Sequence, residues 1–140
     1  MLSETTSHRL RDVFADHPVV QAAYVFGSVA AERERPNSDL DLAVVVDPKR
    51  WEPYDKVRLT TDCMEAAQRD HIDLVVLNDA PLVLQFEAVR ANEPLYSAAD
   101  FNSGAFVSKV ARMYWDFEPY LDSQRRAYKE RRLKRPDGSS

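Results

Sequence analysis

Residues 27–46 read GSVAAERERPNSDLDLAVVV, in which a Gly-Ser pair is followed by ten residues and then by Asp39-Leu40-Asp41. An apolar run from Val19 to Phe26 precedes the pair, and its lack of strict alternation is typical of a strand covered on both faces. A second apolar run, Leu40 to Val46, carries the two acids at its start. The pattern predicts a strand, a turn, a short helix over Val29 to Arg35, and a second strand.

The two acids at the start of the second run are predicted to bind cations. Because side chains alternate across a strand, Asp39 and Asp41 should point to the same face, with Cα atoms roughly 6.5–7 Å apart. The remainder of this strand is Leu, Ala and Val, and an unpaired carboxylate beside a core is costly unless a cation compensates its charge. Hard oxygen ligands favour Mg²⁺ or Mn²⁺, and Mg²⁺ characteristically takes further ligands from substrate phosphates.

A third carboxylate lies in the apolar segment His71 to Leu77, which is predicted to be the third strand. If this strand pairs beside the second one, Asp73 can face the same site and complete a two-ion arrangement with metals roughly 3.5–4 Å apart. His71 lies two residues before Asp73 and is expected on the same face, where it is a candidate to support the site. His8 and His17 are expected to be structural or exposed.

Gly27 and Ser28 follow an apolar strand and are predicted to open a helix. Backbone N–H groups at such a position, together with the Ser28 hydroxyl, can hold an anion such as a triphosphate. Glycine suits a place where the backbone approaches phosphate closely. In the competing interpretation, Ser28 only caps a helix and the aspartates only end strands.

Composition limits the class of protein. A chain of 140 residues with 44% hydrophobic and 30% charged residues has the size of one domain, and no apolar run approaches the roughly 20 residues that cross a bilayer. The N-terminal segment lacks an apolar signal core, so a cytoplasmic location is expected. Cys63 is the only cysteine, which excludes an intramolecular disulfide and favours a packing role in a helix.

Charge is unevenly distributed along the chain. The net charge of -4 argues against a general nucleic-acid binder, and no direct nucleic-acid substrate is expected. From Arg125 to Arg135, however, seven basic residues accompany a single acid, Glu130. This segment is interpreted either as a solvated helix end that complements the helix dipole or as a docking site for an acidic partner or RNA.

Helices are predicted between and after the strands. Ser3 should cap a first helix that Pro18 ends. Asn78 or Asp79 should cap another that has Pro81 in its first turn and runs to about Asn92. Apolar residues at helical spacing are expected to face the core in three helices: Leu10, Val13 and Phe14 in the first helix; Val57, Leu59, Met64 and Ala67 in a helix over Tyr54 to Arg69; and Phe106, Val110, Met113, Phe117 and Leu121 in a long C-terminal helix. Pro119 should kink or break this last helix.

Over residues Ala23 to Leu77, the chain resembles the DNA polymerase beta type nucleotidyltransferases, specifically their minimal, single-domain branch. The pattern that carries the resemblance is Gly27-Ser28, ten residues, then Asp39-x-Asp41. The resemblance implies an α/β (α+β) fold with a small mixed sheet flanked by helices. It also implies that Ser28 and the adjacent backbone hold the triphosphate of ATP or another NTP, that Asp39 and Asp41 ligate both ions, and that Asp73 ligates the catalytic ion and helps to deprotonate the attacking hydroxyl.

Two further segments, Leu82 to Tyr96 and Met113 to Leu121, are similar to the antitoxins of HEPN/MNT toxin–antitoxin pairs. That resemblance implies a partner, a HEPN ribonuclease toxin, and an activity, transfer of AMP from ATP to a tyrosine of that toxin. One departure concerns the triphosphate site: many relatives carry an arginine after Gly-Ser and a glycine a few positions on, whereas this chain has Val29, Ala31 and Glu32.

The expected organisation is a nucleotidyltransferase core over 1–100, a C-terminal helical segment over 101–135 that either belongs to the same domain or binds a partner, and a frayed tail over 136–140. Two other functions stay open. The chain could be a non-catalytic antitoxin that blocks its toxin stoichiometrically, or it could transfer a nucleotide to a small molecule. The aromatic residues Trp115 and Tyr120 are candidates for a protein interface, whereas Phe117 is expected to pack in the core.

Overall fold

The computed structural model describes residues 2–26, 40–90 and 93–133, which form one sheet with helices on both faces. The strands are β1 (Val20–Phe26), β2 (Leu40–Val46), β3 (Ile72–Val76) and β4 (Tyr96–Ser97). The helices are α1 (Glu4–Ala15), α2 (Pro53–Ala67), α3 (Leu82–Val89) and α4 (Ser103–Leu133), with a 3-10 turn at Leu77–Asp79. The expected small mixed sheet flanked by helices is therefore confirmed.

The sheet has the strand order β3-β2-β1-β4. β1 is antiparallel to both of its neighbours, whereas β2 and β3 are parallel and in register from Leu40–Ile72 to Val44–Val76. The end of β1 therefore lies at the same edge of the sheet as the starts of β2 and β3. This edge carries the residues next to the Gly-Ser pair and to the acids.

Each face of the sheet buries its own apolar cluster. On one face, alternate residues of β2, such as Leu42 and Val44, pack with side chains of α1 and α2. On the other face, Ala43 and Val45 pack with Tyr24, Leu77 and buried residues of α3 and α4. Because both faces of β1 and β2 are covered, these strands consist of apolar runs without alternation, as their sequences predict.

The first helix forms as its sequence predicts. The Ser3 hydroxyl accepts a hydrogen bond from the Thr6 backbone N–H at 3.1 Å and so caps α1. Leu10 and Phe14, one turn apart, are fully buried, and the helix ends at Ala15 before Pro18. Behind it, His17 Nε2 lies 2.8 Å from the Asp62 carboxylate, which ties the loop after α1 to α2.

The apolar stripe of α2 differs from the predicted one at Val57, whose side chain is 61% exposed. The buried face is instead made by Leu59 and Cys63, which lie at i and i+4. Val57 and Leu59 are two positions apart and cannot both face the sheet from a helix. Burial, reinforced by the negative charge of Asp62, raises the pKa of the Cys63 thiol to about 12, which keeps it protonated at neutral pH. The packing role predicted for this cysteine is confirmed.

The helix predicted to begin at Asn78 or Asp79 begins later, because Asn78 has a different role. Its side-chain amide donates to the Val46 carbonyl at 2.7 Å, and its side-chain oxygen accepts from the Val46 N–H at 2.9 Å. Asn78 is thereby engaged with the end of β2 and cannot cap α3, which starts at Leu82 with Pro81 at its N-cap.

The long C-terminal helix α4 is continuous from Ser103 to Leu133 and passes through Pro119, so the predicted break does not occur. A proline ring removes one backbone bond and crowds the preceding turn, but the neighbouring turns of this 31-residue helix remain formed. The predicted stripe is buried only near the start of the helix: Val110 is 2% exposed, whereas Met113 and Phe117 are exposed. The expectation that Phe117 packs in the core is therefore wrong. Within the described residues, no helix is both long and apolar enough to span a bilayer.

The buried hydroxyl of Tyr24 generates a test of this packing. The residue is 1% exposed, its hydroxyl has no hydrogen-bond partner within the described part of the chain, and burial raises its pKa to about 12. Since an unsatisfied buried polar group costs about 1–3 kcal/mol, Tyr24→Phe should raise the free energy of unfolding at pH 7 by about 1 kcal/mol.

The same substitution should alter the alkaline limb of the stability curve. A tyrosine with a pKa near 10 when unfolded and about 12 when folded contributes stability that is lost as the pH rises through this window, and Tyr24→Phe should remove that loss. Urea unfolding at pH 7 and at pH 11 measures both effects. A variant less stable than the parent at pH 7 would show that the hydroxyl has a partner.

Candidate active site

The candidate site lies where β1 ends and where β2 and β3 begin. Phe26, the last residue of β1, pairs with Asp41 of β2, and Asp41 pairs with Asp73 of β3. Neighbouring strands lie roughly 4.8 Å apart, so the Asp41 and Asp73 backbones are adjacent. The prediction that the third strand would pair beside the second and bring Asp73 next to Asp41 is confirmed.

Alternation places both carboxylates on the same face of the sheet. Leu40 and Leu42, which flank Asp41, belong to the cluster packed against α1 and α2, and so do Ile72 and Leu74, which flank Asp73. Asp41 and Asp73 must therefore project to the opposite face, the one on which α3 and α4 lie. The two strands thus place carboxylate oxygens side by side at this edge of the sheet.

The surroundings hold these carboxylates at the boundary between core and solvent. The apolar neighbours Leu40 and Leu42 are fully buried, whereas Asp41 is half-buried and Asp73 is exposed. A carboxylate that is anchored by buried neighbours but open to solvent can exchange water for a cation or for a substrate group. His71 is exposed and immediately precedes β3, and its supporting role stays a prediction.

Gly27, Ser28 and Asp39 lie outside the described residues, as do the short helix predicted for Val29 to Arg35 and the departures at Val29, Ala31 and Glu32. Their sequence neighbours are described: Phe26 precedes Gly27, and Leu40 follows Asp39. Among residues 2–26, 40–90 and 93–133, no group of three His, Cys, Asp or Glu side chains is placed to hold a metal ion. Metal binding by Asp39, Asp41 and Asp73 therefore stays a prediction.

Two structural contacts on the elements that surround the site could not be inferred from local patterns. The Asn78 amide fastens the chain after β3 to the end of β2. Phe86 of α3 stacks on Tyr114 of α4 with ring centroids 4.0 Å apart and planes 3° apart. The sole sequence signal for the stack is the aromatic character of both residues, because 28 positions separate them.

The family model for polymerase beta nucleotidyltransferases matches residues 8–101, about two thirds of the chain. The chain belongs to this nucleotidyltransferase family. The match includes β1, β2 and β3 and therefore the edge that holds Asp41 and Asp73. The predicted fold and enzyme class of the nucleotidyltransferase are confirmed.

Several solved structures are similar to this nucleotidyltransferase over most of its length. A chain in a crystal structure of a toxin–antitoxin with AMP-PNP is 25% identical, with a TM-score of 0.67 over 91% of this chain and 98% of that one. A chain of the toxin–antitoxin MntA-HepT is 22% identical, with a TM-score of 0.64 over 94% and 99% of the two chains.

A third match comes from a Shewanella oneidensis structure, a tri-AMPylated HEPN toxin in complex with MNT antitoxin. It is 23% identical, with a TM-score of 0.63 over 91% of this chain and 96% of that one. The two matches below 25% identity support the fold alone. Among curated protein sequences, none matches this chain.

The adjacency of Asp41 and Asp73 predicts how Asp73→Asn will behave. In EDTA the substitution should leave the melting temperature unchanged or slightly raised, because it removes repulsion between neighbouring carboxylates. In Mg²⁺ with a non-hydrolysable ATP analogue, the parent should gain stability by linkage, about 2.7 kcal/mol at one hundred times the dissociation constant. The variant should lose most of this gain.

Asp79→Asn is the matched control, since Asp79 is an exposed acid just past the opposite end of β3. Thermal melts of the three proteins, with and without Mg²⁺ and nucleotide, provide the comparison. Equal stabilisation of the parent and Asp73→Asn would mean that Asp73 is not part of the nucleotide–metal site.

Proposed function

We propose that this nucleotidyltransferase is an antitoxin that transfers AMP from ATP to a tyrosine hydroxyl on a HEPN ribonuclease toxin. The observation that carries the proposal is the in-register pairing of Phe26, Asp41 and Asp73, which gathers the residues bordering the Gly-Ser and Asp-x-Asp motifs at one edge of the sheet. The 25%-identical relative in the toxin–antitoxin structure with AMP-PNP supports both the nucleotide and the biological setting.

The donor set fits a hard divalent cation. The three proposed ligands, Asp39, Asp41 and Asp73, are carboxylates, and carboxylate oxygens suit Mg²⁺ or Mn²⁺. The set contains none of the soft ligands that select other transition metals. Such ions, when bound, neutralise charge that develops on the phosphates. Gly27 and Ser28 would hold the triphosphate next to the carboxylates, because the chain enters this pair directly from the edge of β1.

In the proposed reaction, the acceptor oxygen attacks the α-phosphorus and forms an O–P bond while the bond from that phosphorus to the bridging oxygen of the β-phosphate breaks. Pyrophosphate leaves with that bonding electron pair. The hydroxyl proton passes to the Asp73 carboxylate, whose exposure allows an acceptor to approach it. Asp41 is held between buried leucines, which fixes its orientation before substrate arrives. The chain thus acts mainly by positioning the reactants and a proton acceptor.

A non-catalytic antitoxin would use the same fold without turnover, so stoichiometry separates it from an enzyme. With ATP and Mg²⁺, an enzyme protects RNA from a molar excess of toxin, whereas a blocker saturates at the ratio of its complex. Transfer to a small molecule would instead leave the toxin unmodified. A cytoplasmic location, where ATP and Mg²⁺ are available, is part of this proposal.

The double substitution Asp39→Asn with Asp41→Asn tests whether these carboxylates exist to bind cations. It preserves side-chain size while removing two ligand charges, so the melting temperature in EDTA should be unchanged or slightly higher. Transfer of labelled AMP to a HEPN ribonuclease supplied as the acceptor should fall by at least about a hundredfold, the scale of losing an electrostatic contact to the transition state.

Asp79→Asn with Asp100→Asn is the control, because both acids are exposed and lie outside the proposed site. If the aspartates served structure by pairing with buried basic groups, the site variant would instead lose about 3 kcal/mol or more of stability. Unfolding of the variant, or AMP transfer at the parental rate, would contradict the proposal.

A further inference from the structure

The C-terminal half of α4 extends beyond the folded body. Among the side chains described up to Arg131, Val110 is the last buried one of this helix, and Tyr114 stacks on Phe86 of α3. From Trp115 to Arg131, every side chain is exposed except Leu121, which is half-buried. At 1.5 Å per residue, Trp115 to Leu133 extends for about 28 Å. We call these residues the projecting segment.

The first part of the projecting segment displays aromatic side chains to solvent. Trp115 is 61% exposed and Tyr120 is 56% exposed, and the Phe117 and Tyr120 rings lie against each other with centroids 5.1 Å apart. Isolated apolar residues are ordinary on a protein surface, but adjacent large ones such as Phe117 and Tyr120 mark an interaction site. Trp and Tyr are also the residues that most often anchor protein interfaces.

The second part is basic. Seven Lys or Arg and three Asp or Glu follow Pro119, so residues 119–140 have a net charge of +4. Residues 1–118 therefore have a net charge of -8, given the total of -4. A second copy of this segment carries the same positive charge and would therefore be repelled by it. An acidic protein surface is electrostatically complementary to it.

The arrangement favours a protein over RNA. Surfaces that bind single-stranded nucleic acid interleave stacking aromatics with a basic groove. In the projecting segment three of the exposed aromatics, Trp115, Phe117 and Tyr120, precede the first cation, Arg125, and a single aromatic, Tyr128, lies among the basic residues. The strongly acidic body would also repel a polyanion that extended along the helix. A partner protein with an apolar pocket and an acidic rim on one side of it would match the order of aromatic residues followed by cations along the helix.

The extent of the family match and of a solved relative also supports a protein partner for α4. The family model ends at residue 101, just before α4 begins at Ser103. The alignment to the toxin–antitoxin chain with AMP-PNP covers 91% of this chain, and since α4 has 31 of the 140 residues, that alignment includes most of it. A helix that lies outside the nucleotidyltransferase core but is shared with a relative that has a protein partner is a natural place for a partner to dock.

We propose that the projecting segment docks the protein that accepts AMP, with the adjacent Phe117 and Tyr120 rings as apolar anchors and the basic residues from Arg125 onward facing an acidic patch of that partner. The inference rests on the proposed function and specifies how its substrate is held. The start of α4 packs, through Val110, on the sheet face to which Asp41 and Asp73 project.

The test uses the whole 140-residue chain and a HEPN ribonuclease that carries alanine in place of the histidine of its Arg-x4-6-His motif. Phe117→Ala with Tyr120→Ala removes the anchors, and Arg125→Glu with Lys129→Glu reverses two charges. The matched controls are Tyr54→Ala with Val57→Ala, which are 68% and 61% exposed on α2, and Arg9→Glu with Arg58→Glu, which are exposed on α1 and α2. Circular dichroism melts and ATP-analogue binding verify that every variant is folded.

Each α4 variant should weaken partner binding, measured by calorimetry, at least about tenfold, while the controls stay within about twofold. The KM for the protein acceptor should rise with little change in kcat or in the KM for ATP, because docking residues do not touch the reacting atoms. The parental affinity should fall as salt is raised, and the charge-reversed variant should show a smaller dependence.

Two results would overturn the inference while leaving the proposed function intact. One is AMP transfer and partner binding by the α4 variants equal to those of the controls. The other is loss of binding to a labelled single-stranded oligoribonucleotide without loss of binding to the protein, which would make the segment an RNA surface. Failure of the parent itself both to bind and to modify the HEPN protein would overturn the proposed function and the inference together.

Discussion

The parallel, in-register pairing of β2 with β3 is the constraint on which the site depends. It sets Asp41 beside Asp73, and a slip of one residue would turn Asp73 toward the cluster packed against α1 and α2. Two features oppose such a slip. Ile72 and Leu74 are buried among the residues of that cluster, and the Asn78 amide makes a pair of hydrogen bonds with Val46 immediately after β3. The amide thus fixes the register from the end of the strand opposite the carboxylates.

The two faces of the sheet have different roles: one makes only stabilising contacts, and the other also carries the candidate site. One face is devoted to apolar contacts with α1 and α2, reinforced by the His17–Asp62 contact. The other face contains a second apolar cluster around Tyr24 and, at its edge, the two carboxylates. Because the strands are covered on both sides, a pair of negative charges at one end can be tolerated without loosening the core. The same face supports α4, whose projecting segment carries the exposed aromatics and cations.

Strong local signals predicted the elements that carry the site. β2 spans Leu40–Val46, as its apolar run indicates, and alternation correctly placed Asp41 and Asp73 together once the strands paired. The errors arose where a local preference was overridden by a distant contact. Asn78 is a good helix cap by residue type, but it bonds to β2 instead. Val57 is apolar but lies on the outer side of α2, because periodicity identifies a stripe without identifying which neighbouring apolar residue stays outside it.

The remaining predictions for the site concern Gly27, Ser28 and Asp39, whose roles stay predictions. The central claim is that the paired aspartates of β2 and β3 hold a divalent cation together with nucleotide. The most direct measurement is a crystal structure with Mn²⁺ and a non-hydrolysable ATP analogue, in which anomalous scattering locates the metal. The account predicts an anomalous peak coordinated by the carboxylates of both Asp41 and Asp73, with nucleotide phosphate as a further ligand. A metal coordinated elsewhere, or Asp73 turned to the opposite face of the sheet, would contradict it.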